Sequence, residues 1–356
     1  MRVAVFGATG YSGTEAMRLL AARSDIEIAW VGSNSKAGQL VKDVLPQLRH
    51  LAVGQLRFEQ NVDLVFFKEH VDVAMLALPH GQAQTFAPQL LNQGIRVIDF
   101  SGDFRLSPEI YETWYKRPYK SADGTKAVYG LPELFRDRIR DASLIANPGC
   151  YATAAELALL PLMDTALIDD QHLVLDAKSG VTGAGKSPQQ STHFVEVEES
   201  LRAYKVGEHQ HTPEIEQVLW QAKQKSASYA QSQGTSAPTV LMTTQLLPIR
   251  RGIYLTAYAF LQQKISAQEI HELFTQRYVS EPFVDVLPLG QIPEIRYVTG
   301  TNVCQLGIHV DTRTNAVLVV STLDNLIKGA AGQAIQNLNL MFDCDETLGL
   351  PVEPWV

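Results

Sequence analysis

The sequence predicts an α/β protein of two domains, in which a doubly wound parallel sheet comes first. Short apolar runs alternate with helical patterns through the first hundred residues, as they do in a parallel sheet with crossover helices. Strand-like runs then dominate the second half and predict a mixed sheet there. The length of 356 residues is also too great for one small core.

The first 31 residues follow the order strand, glycine loop, helix, strand. Residues 3–6 and 26–31 have the pattern of short buried strands, and residues 14–24 have that of a helix. The loop Gly-Ala-Thr-Gly-Tyr-Ser-Gly at positions 7–13 spaces its glycines G-x-x-G-x-x-G. Bare backbone at a helix N-terminus lets N–H groups approach an anionic phosphate, so the loop predicts a pyrophosphate site in a Rossmann-like domain. A glycine-rich structural turn is the alternative.

The segment after the second strand predicts which dinucleotide binds. Units that bind NAD usually place an acid there, which holds the ribose 2′-hydroxyl. Segment 32–38 has no acid, whereas Ser33, Ser35 and Lys36 offer two hydroxyls and a cation that suit a 2′-phosphate. NADP is therefore favoured over NAD, and a solvated loop lysine is the alternative interpretation of Lys36.

Two further strands end in polar loops, where strands of a parallel sheet face ligands. The run 71–78 leads into Pro79, and the run 95–99 leads into a loop that contains Arg105. The sequence leaves two interpretations of Arg105 open. Its forked guanidinium binds an anionic substrate, or it holds Asp103 or another neighbouring carboxylate.

The motif Asn-Pro-Gly-Cys-Tyr at positions 147–151 carries the most chemical information. Pro148 and Gly149 interrupt the backbone pattern, and residues 152–160 then have the composition of a helix. Cys150 is therefore expected at a helix N-terminus, where the helix dipole favours thiolate over thiol. The thiolate is the nucleophile, so this setting suits covalent catalysis at a carbonyl carbon. A buried structural cysteine is the alternative.

A pair of histidines supplies the candidate acid/base. His209 and His211 precede Thr212 and Pro213, which predict the N-cap and first residue of a helix, so both histidines are expected in the loop before it. One histidine near Cys150 would serve in proton transfer. A solvent-facing pair is the alternative, and no further His/Cys cluster supports a metal site.

The rest of the second half suggests a sheet with an open face. The run 173–178 leads into the Gly/Ser/Lys-rich loop 179–187, which can bind an anion although it is not a Walker A motif. Residues 239–245 and 252–260 add strands to a mixed sheet, whose far face is suited to burying a dimer partner. Residues 324–337 have the pattern of a small-residue helix.

Composition excludes several functional classes. A net charge of −8 and the absence of a dense Lys/Arg run argue against a nucleic-acid binder. The three cysteines form no CxxC pair and no disulfide framework, which is typical of the cytoplasm. No segment approaches the roughly 18 apolar residues that a membrane helix needs.

Taken together, the motifs resemble those of the N-acetyl-gamma-glutamyl-phosphate reductase family of arginine biosynthesis, from residue 3 to about residue 351. Their order and co-occurrence are specific, whereas each alone is weak. They are the glycine loop 7–13, Asp-Phe-Arg-Leu at 103–106, Tyr-Gly-Leu-Pro-Glu at 129–133, the cysteine motif 147–151, His-Gln-His-Thr-Pro-Glu-Ile at 209–215 and Asp-Asn-Leu-Ile-Lys-Gly-Ala-Ala at 324–331.

The resemblance implies a Rossmann-like NADP-binding domain at 1–149 and 324–356, with the C-terminal helix returning to it, and a catalytic, substrate and oligomerisation domain at 150–323. It implies that Cys150 is the nucleophile, His211 the acid/base and His209 a supporting residue. The expected cofactor-binding residues are Gly7, Thr9, Gly10, Tyr11, Ser12, Gly13, Ser33, Ser35, Lys36, Pro79, Ser179, Gly180 and Asn325. The expected substrate-binding residues are Arg105, Asn147, Lys186, Ser187 and Glu214.

The implied reaction is the NADPH-dependent reduction of an acyl phosphate through a cysteine thioester, by a homodimer or homotetramer. A sibling enzyme is the first alternative: aspartate-semialdehyde dehydrogenase, or the aminoadipyl-phosphate reductase of lysine biosynthesis. A non-catalytic NADP-sensing regulator on the same scaffold is the second, although such a protein has no need of Cys150 and His211 together.

Overall fold

The computed structural model describes residues 1–121, 125–226 and 236–355. The chain divides into two compact units. The first is Met1–Pro148 with Ala330–Leu350, and the second is Gly149–Gly329 with the tail that begins at Pro351.

The two units differ from the predicted domains at Gly149, at residues 324–329 and at the C-terminal tail, which belong to the second unit. Hydrogen bonds explain the last two differences. Asn325 Oδ1 accepts from the backbone N–H of Gly252 at 2.8 Å, and the Pro351 carbonyl accepts from the N–H of Asn302 at 2.7 Å.

The first unit is built on a six-stranded sheet in which every neighbouring pair is parallel. The strand order is β2-β1-β3-β4-β6-β5. The strands are β1 (Arg2–Phe6), β2 (Glu27–Val31), β3 (Val73–Leu76), β4 (Arg96–Asp99), β5 (Val128–Tyr129) and β6 (Leu144–Ala146). The order reverses between β1 and β3, which is where a doubly wound sheet binds its ligand. This confirms the predicted Rossmann-like parallel sheet.

The connections of the first unit are helical. The helices are α1 (Tyr11–Leu20), α2 (Val41–Val44), α3 (Leu64–His70), α4 (Ala83–Leu91), α5 (Pro108–Tyr115) and α6 (Pro132–Arg140). Aromatic rings fill one side of the sheet, where Phe6 lies 4.7 Å from Trp30 and 5.8 Å from Phe67 between ring centroids. The apolar strand residues recognised in the sequence are therefore buried.

The second unit contains a mixed seven-stranded sheet in the order β11-β12-β13-β10-β7-β9-β8. Its strands are β7 (Ile168–Gly180), β8 (Arg202–Tyr204), β9 (Val240–Leu247), β10 (Ile253–Leu261), β11 (Val284–Val286), β12 (Cys304–Asp311) and β13 (Ala316–Leu323). Its helices are α7 (Cys150–Met163), α8 (Phe194–Val197), α9 (His211–Lys225) and α10 (Ala267–Tyr278). The predicted mixed sheet is confirmed.

One face of this sheet is covered by helices, since α7 packs on β10 and β13 and α9 packs on β9. Strand β10 shows the consequence, because its residues alternate between buried and half-buried or exposed. Leu255 and Ala257 are buried, whereas Tyr254 and Tyr258 are partly exposed. The opposite face of the sheet, which we call the open face, therefore presents apolar and aromatic side chains.

The C-terminal helix α11 (Gly332–Met341) lies in the first unit, where it packs on α1 and α6. All ten of its residues are buried. Gln333 and Asn337 donate side-chain hydrogen bonds to the carbonyl of Gly130 at 2.7 and 2.9 Å. The predicted return of this helix to the first domain is confirmed.

The single helix predicted over 324–337 is wrong in its first half. A π-helical turn, Ile327–Ala331, precedes α11. It forms because the N–H of Gly329 bonds to the carbonyl of Asp324, five residues back, at 2.9 Å.

Within the three described ranges, no helix has both the length and the apolar character needed to cross a membrane.

Candidate active site

The glycine loop of the first unit forms a tight backbone cradle between β1 and α1. Gly7 has φ +64°, and a Cβ there would lie 2.1 Å from the carbonyl oxygen of Ala77 at the end of β3. A Cβ on Gly13 would lie 2.4 Å from the carbonyl oxygen of Gly7. Only glycine fits at these two positions, so the loop needs its bare backbone for packing as well as for a ligand.

The cradle opens at the N-terminus of α1. The helix begins at Tyr11 rather than at Thr14 as predicted, because Gly10 is its N-cap. No side chain caps this helix end and its first turn has no acidic residue. The first N–H groups of a helix lack intrahelical partners, so those of Tyr11, Ser12 and Gly13 suit an anionic phosphate. These residues fit a dinucleotide.

The residues predicted to select the dinucleotide follow β2. Ser33 is buried and its Oγ lies 3.1 Å from Oγ1 of Thr9, so the glycine loop and this segment are joined by a hydroxyl pair. Ser35 is exposed and Lys36 is half-buried. Pro79 is exposed just beyond β3.

Arg105 and Asn147 make hydrogen bonds inside the first unit. Arg105 is 7% exposed, and it donates from Nε to the Asn147 carbonyl at 2.9 Å and from Nη2 to the Phe100 carbonyl at 2.8 Å. The Asn147 amide donates to the Ala330 carbonyl at 3.0 Å and accepts from Asn337 at 3.1 Å. Arg105 thus holds the backbone three residues before Cys150 in the chain.

A buried carboxylate pair lies beside Arg105. Burial raises the pKa of Asp99 to about 7, and the charge of Asp103 adds to this shift while Ser101 and Arg105 oppose it. Asp103 in turn accepts a hydrogen bond from the N–H of Gly81 at 2.6 Å. Asp103, in the loop after β4, therefore connects that loop to Gly81 in the loop after β3. The positive charge of Arg105 lowers the pKa of Asp99.

Cys150 is the first residue of α7, as the sequence predicts, and Gly149 is the N-cap. Cys150 is not part of a disulfide and is half-buried. No acidic residue lies in the first turn of α7 itself.

His211 lies against the residue that precedes Cys150. A Cβ on Gly149 would be only 2.1 Å from His211 Nε2 and 2.4 Å from Cε1. The imidazole therefore packs directly on the bare Cα of Gly149. Glycine at 149 is what lets the histidine approach the start of α7.

Glu214 connects the two helix starts. Its Oε1 accepts from the N–H of Gly149 at 2.8 Å, and its Oε2 lies 4.0 Å from His211 Nε2. The carboxyl is fully buried. A carboxylate beside an imidazole favours the imidazolium, and an imidazolium favours a nearby thiolate. Glu214 was predicted to bind substrate, and this contact was not predicted, although the spacing of three residues from His211, within one helical turn, indicates it.

The two histidines occupy different elements, so the predicted placement of both in the preceding loop is wrong for His211. Helix α9 begins at His211, with Gln210 rather than Thr212 as its N-cap. His209 remains in the loop, is buried, and accepts a hydrogen bond at Nδ1 from the N–H of His211 at 3.2 Å. The backbone bond from Thr212 N–H to the His209 carbonyl, at 2.9 Å, extends the turn and explains the earlier start.

Aromatic rings enclose His209. Its ring centroid lies 4.6 Å from that of His211, 5.3 Å from Tyr151 and 5.9 Å from Tyr204. Tyr204 donates to the Tyr151 hydroxyl at 3.1 Å, and burial raises the pKa of Tyr204 to about 12. Both phenols therefore stay protonated near neutral pH. Nothing in the sequence around Tyr204 predicted its contacts with Tyr151 and His209.

The Gly/Ser/Lys-rich loop begins where β7 ends. Ser179 is buried and donates to the Gly180 carbonyl at 3.0 Å, whereas Lys186 and Ser187 are exposed. Asn325 is buried and its Nδ2 donates to Thr182 Oγ1 at 2.9 Å. Asn325 thus fixes the start of this loop.

No cluster of three or more His, Cys, Asp or Glu side chains suited to a metal ion occurs in the part of the chain that the structure describes.

Two family models match the chain. Residues 2–142 match the semialdehyde dehydrogenase NAD-binding domain, and residues 150–325 match the semialdehyde dehydrogenase dimerisation domain. The chain thus has a nicotinamide-dinucleotide-binding domain followed by a domain of the dimerisation type.

Similar curated proteins cover nearly the whole chain. An N-acetyl-gamma-glutamyl-phosphate reductase of Bacillus cytotoxicus is 43% identical over 99% of both chains. One of Brevibacillus brevis is 44% identical over 99% of both chains.

Solved structures with low sequence identity share the fold. Aspartate semialdehyde dehydrogenase II of Vibrio cholerae has a TM-score of 0.70 at 18% identity, covering 96% of this chain and 98% of that one. The enzyme of Candida albicans, solved with NADP, has a TM-score of 0.67 at 15% identity, covering 96% and 98%.

Proposed function

The chain belongs to the N-acetyl-gamma-glutamyl-phosphate reductase family and is an oxidoreductase that acts on an acyl phosphate, and we propose that Cys150 forms a thioester in this reaction. The substrate is N-acetyl-L-glutamyl 5-phosphate, and the products are N-acetyl-L-glutamate 5-semialdehyde and phosphate. The proposed cofactor is NADPH and the proposed compartment is the cytoplasm.

The observation that carries this mechanism is the assembly at the start of α7. Cys150 begins the helix, His211 packs on Gly149 beside it, and Glu214 bonds Gly149 while facing His211. This arrangement supports the roles proposed for Cys150 as nucleophile and His211 as acid/base, with the carboxylate of Glu214 close to both helix starts.

The thiolate of Cys150 attacks the acyl carbon, and the tetrahedral intermediate expels phosphate to leave a thioester. When bound, the nicotinamide supplies a hydride to the thioester carbon. The resulting hemithioacetal collapses, and the C–S bond breaks to give the aldehyde and the Cys150 thiolate. His211 donates a proton to the oxyanion that hydride transfer creates and takes this proton back as the hemithioacetal collapses, so that the histidine and the Cys150 thiolate both return to their starting states. Backbone N–H groups at the start of α7 stabilise that oxyanion.

Lys186 and Ser187 are proposed to bind an anionic group of the substrate, because both are exposed on the loop after β7. Arg105 is proposed to act mainly by holding the Asn147 carbonyl, since it is buried and bonded to backbone oxygens.

The direct test is a phosphate-dependent assay of NADP reduction in the reverse direction. N-acetylglutamate semialdehyde is expected to be oxidised far faster than aspartate semialdehyde or aminoadipate semialdehyde. A preference for either of the other aldehydes would assign the chain to a sibling activity. Absence of turnover with all three, with dinucleotide binding retained, would favour a regulator.

NADPH is expected to bind at least tenfold more tightly than NADH, a difference of about 1.4 kcal/mol. The reason is that Ser33, Ser35 and Lys36 stand where NAD-binding units carry an acid. Lys36→Ala should weaken NADPH and leave NADH nearly unchanged, as measured by fluorescence titration.

The matched control for Lys36→Ala is Lys42→Ala, which removes a lysine of the same unit that is bonded to Gln55. It should change neither affinity. Equal affinities of the unmodified chain for the two cofactors would reject the assignment of NADP.

Self-association through the open face is the next expected result. Leu241 is 63% exposed and is aligned across the strands with Val174, which pairs with Tyr258. Burial of this apolar row against a second copy is favourable. Light scattering should therefore give a particle larger than the 39.3 kDa chain, and Leu241→Asp should shift it towards that mass.

Val279→Asp provides the control, because Val279 is an 82% exposed apolar residue that follows α10. It adds the same charge away from the open face and should leave the particle mass unchanged. A 39.3 kDa species alone at micromolar concentration would reject the prediction.

A further inference from the structure

The turn between β13 and α11 touches the nucleophile. Gly329 lies on its π-helical portion, and a Cβ built there would be 2.7 Å from the Cβ of Cys150 and 3.2 Å from its Cα. Carbon atoms do not approach this closely, so glycine is the one residue that allows the contact without a shift of Cys150. The φ of Gly329 is not positive, which means that steric space and not backbone freedom requires glycine here.

One buried residue, Asp324, accepts the hydrogen bonds that hold this turn. Asp324 is fully buried, and its Oδ1 accepts from the N–H groups of Leu326 and Ile327 at 2.8 and 3.3 Å. Its Oδ2 accepts from the N–H of Gly300 at 2.8 Å. The Asp324 carbonyl also receives the N–H of Gly329 at 2.9 Å. Four backbone groups are thus fixed around one residue.

The neighbouring residue anchors the same turn to the sheet. Asn325 accepts from the N–H of Gly252 at the start of β10 and donates to Thr182 after β7. The side chains of Asp324 and Asn325 both make hydrogen bonds. The turn therefore cannot move away from Cys150 without breaking some of these bonds, including the bond from Gly252 beside β10.

We propose that Gly329 is a positioning residue that fixes the Cβ of Cys150, and therefore the direction of its sulfur relative to His211. The proposal rests on the proposed function for its effect on turnover. Its effect on the chemistry of the thiol is independent of that function.

Gly329→Ala forces Cys150 to move by several tenths of an ångström. Since catalysis is sensitive to displacements of this size, kcat should fall about 10- to 100-fold while KM for the semialdehyde changes little. The decisive readout is alkylation of Cys150 by iodoacetamide, followed by peptide mass over a range of pH. The pH midpoint of the alkylation rate should shift, because a displaced Cys150 changes the position of its sulfur relative to His211 and to the start of α7.

Gly307→Ala is the matched control. Its added Cβ is equally crowded, at 2.6 Å from Cδ of Pro293, but it lies on β12 away from Cys150. It should lower the melting temperature without changing the alkylation profile of Cys150.

A second control separates two neighbours of Gly329, since the added Cβ would also lie 3.2 Å from Cδ1 of Leu323. Adding Leu323→Val to Gly329→Ala removes that contact alone. Recovery of kcat in the double variant would overturn the proposal, whereas a persistent loss supports it.

Asn325→Ala loosens the anchor without adding volume or changing a charge, because it removes the hydrogen bonds to Gly252 and Thr182, and it should also shift the alkylation midpoint. An unchanged profile in folded Gly329→Ala overturns the proposal, and Asn325→Ala decides in its place if Gly329→Ala does not fold. A wild-type chain without turnover would contradict the proposed function and leave the alkylation comparison standing.

Discussion

Cys150→Ala is expected to abolish turnover while leaving NADPH binding unchanged. The variant removes the only atom proposed to bond covalently to the substrate, and no neighbouring residue replaces it. Neither of the other cysteines begins a helix: Cys304 is buried on β12 and Cys344 follows α11. The measurement is the initial rate of the reverse reaction, set beside a fluorescence titration with NADPH.

Cys344→Ala is the control for this variant, because the residue is half-buried and its thiol contacts only the carbonyl of Phe342 among the bonds described, at 3.7 Å. It should retain full activity. Turnover in Cys150→Ala would contradict the thioester mechanism. Lost turnover with retained NADPH binding would reject the interpretation of the chain as a non-catalytic regulator.

Iodoacetamide should inactivate the unmodified enzyme rapidly near neutral pH, because a helix N-terminus favours thiolate and a protonated His211 would favour it further. Loss of activity should parallel alkylation of Cys150.

His211→Asn is expected to lower kcat about 10²- to 10⁴-fold, the usual contribution of general acid–base catalysis. Its imidazole packs on Gly149 beside Cys150 and lies 4.0 Å from Glu214. His209→Asn should cost less, because His209 accepts a bond from the His211 backbone and packs among aromatic rings. The comparison is made from single-turnover rates at saturating NADPH.

Two outcomes would contradict this assignment. Greater damage in His209→Asn would mean that the acid/base has been placed on the wrong histidine. A loss of only a few-fold in both variants would mean that the proton comes from water or another group.

The sequence alone was sufficient for the elements with strong local signals. The glycine loop with its flanking strands predicted the first βαβ unit, because the period of apolar residues and the position of glycine are local properties. Cys150 was placed correctly at a helix N-terminus for the same reason, since Pro148 and Gly149 directly precede a run of helix formers. Helix boundaries were less accurate, as at Tyr11 and His211, because a cap depends on backbone angles that composition does not determine.

Contacts between distant residues required the tertiary structure. Glu214 was assigned to the substrate from its motif, yet folding brings it to Gly149, 65 positions away in the chain. Gly329 gave no sign of contacting Cys150, because the fit depends on a missing Cβ at a separation of nearly 180 residues. The sequence left two interpretations of Arg105 open. The structure adds a third, in which the buried Arg105 donates hydrogen bonds to backbone carbonyls and holds the segment before Cys150. Sequence thus predicted the candidate reactive groups, and packing decided which residues contact them, because steric exclusion and hydrogen-bond geometry act between surfaces that only folding brings together.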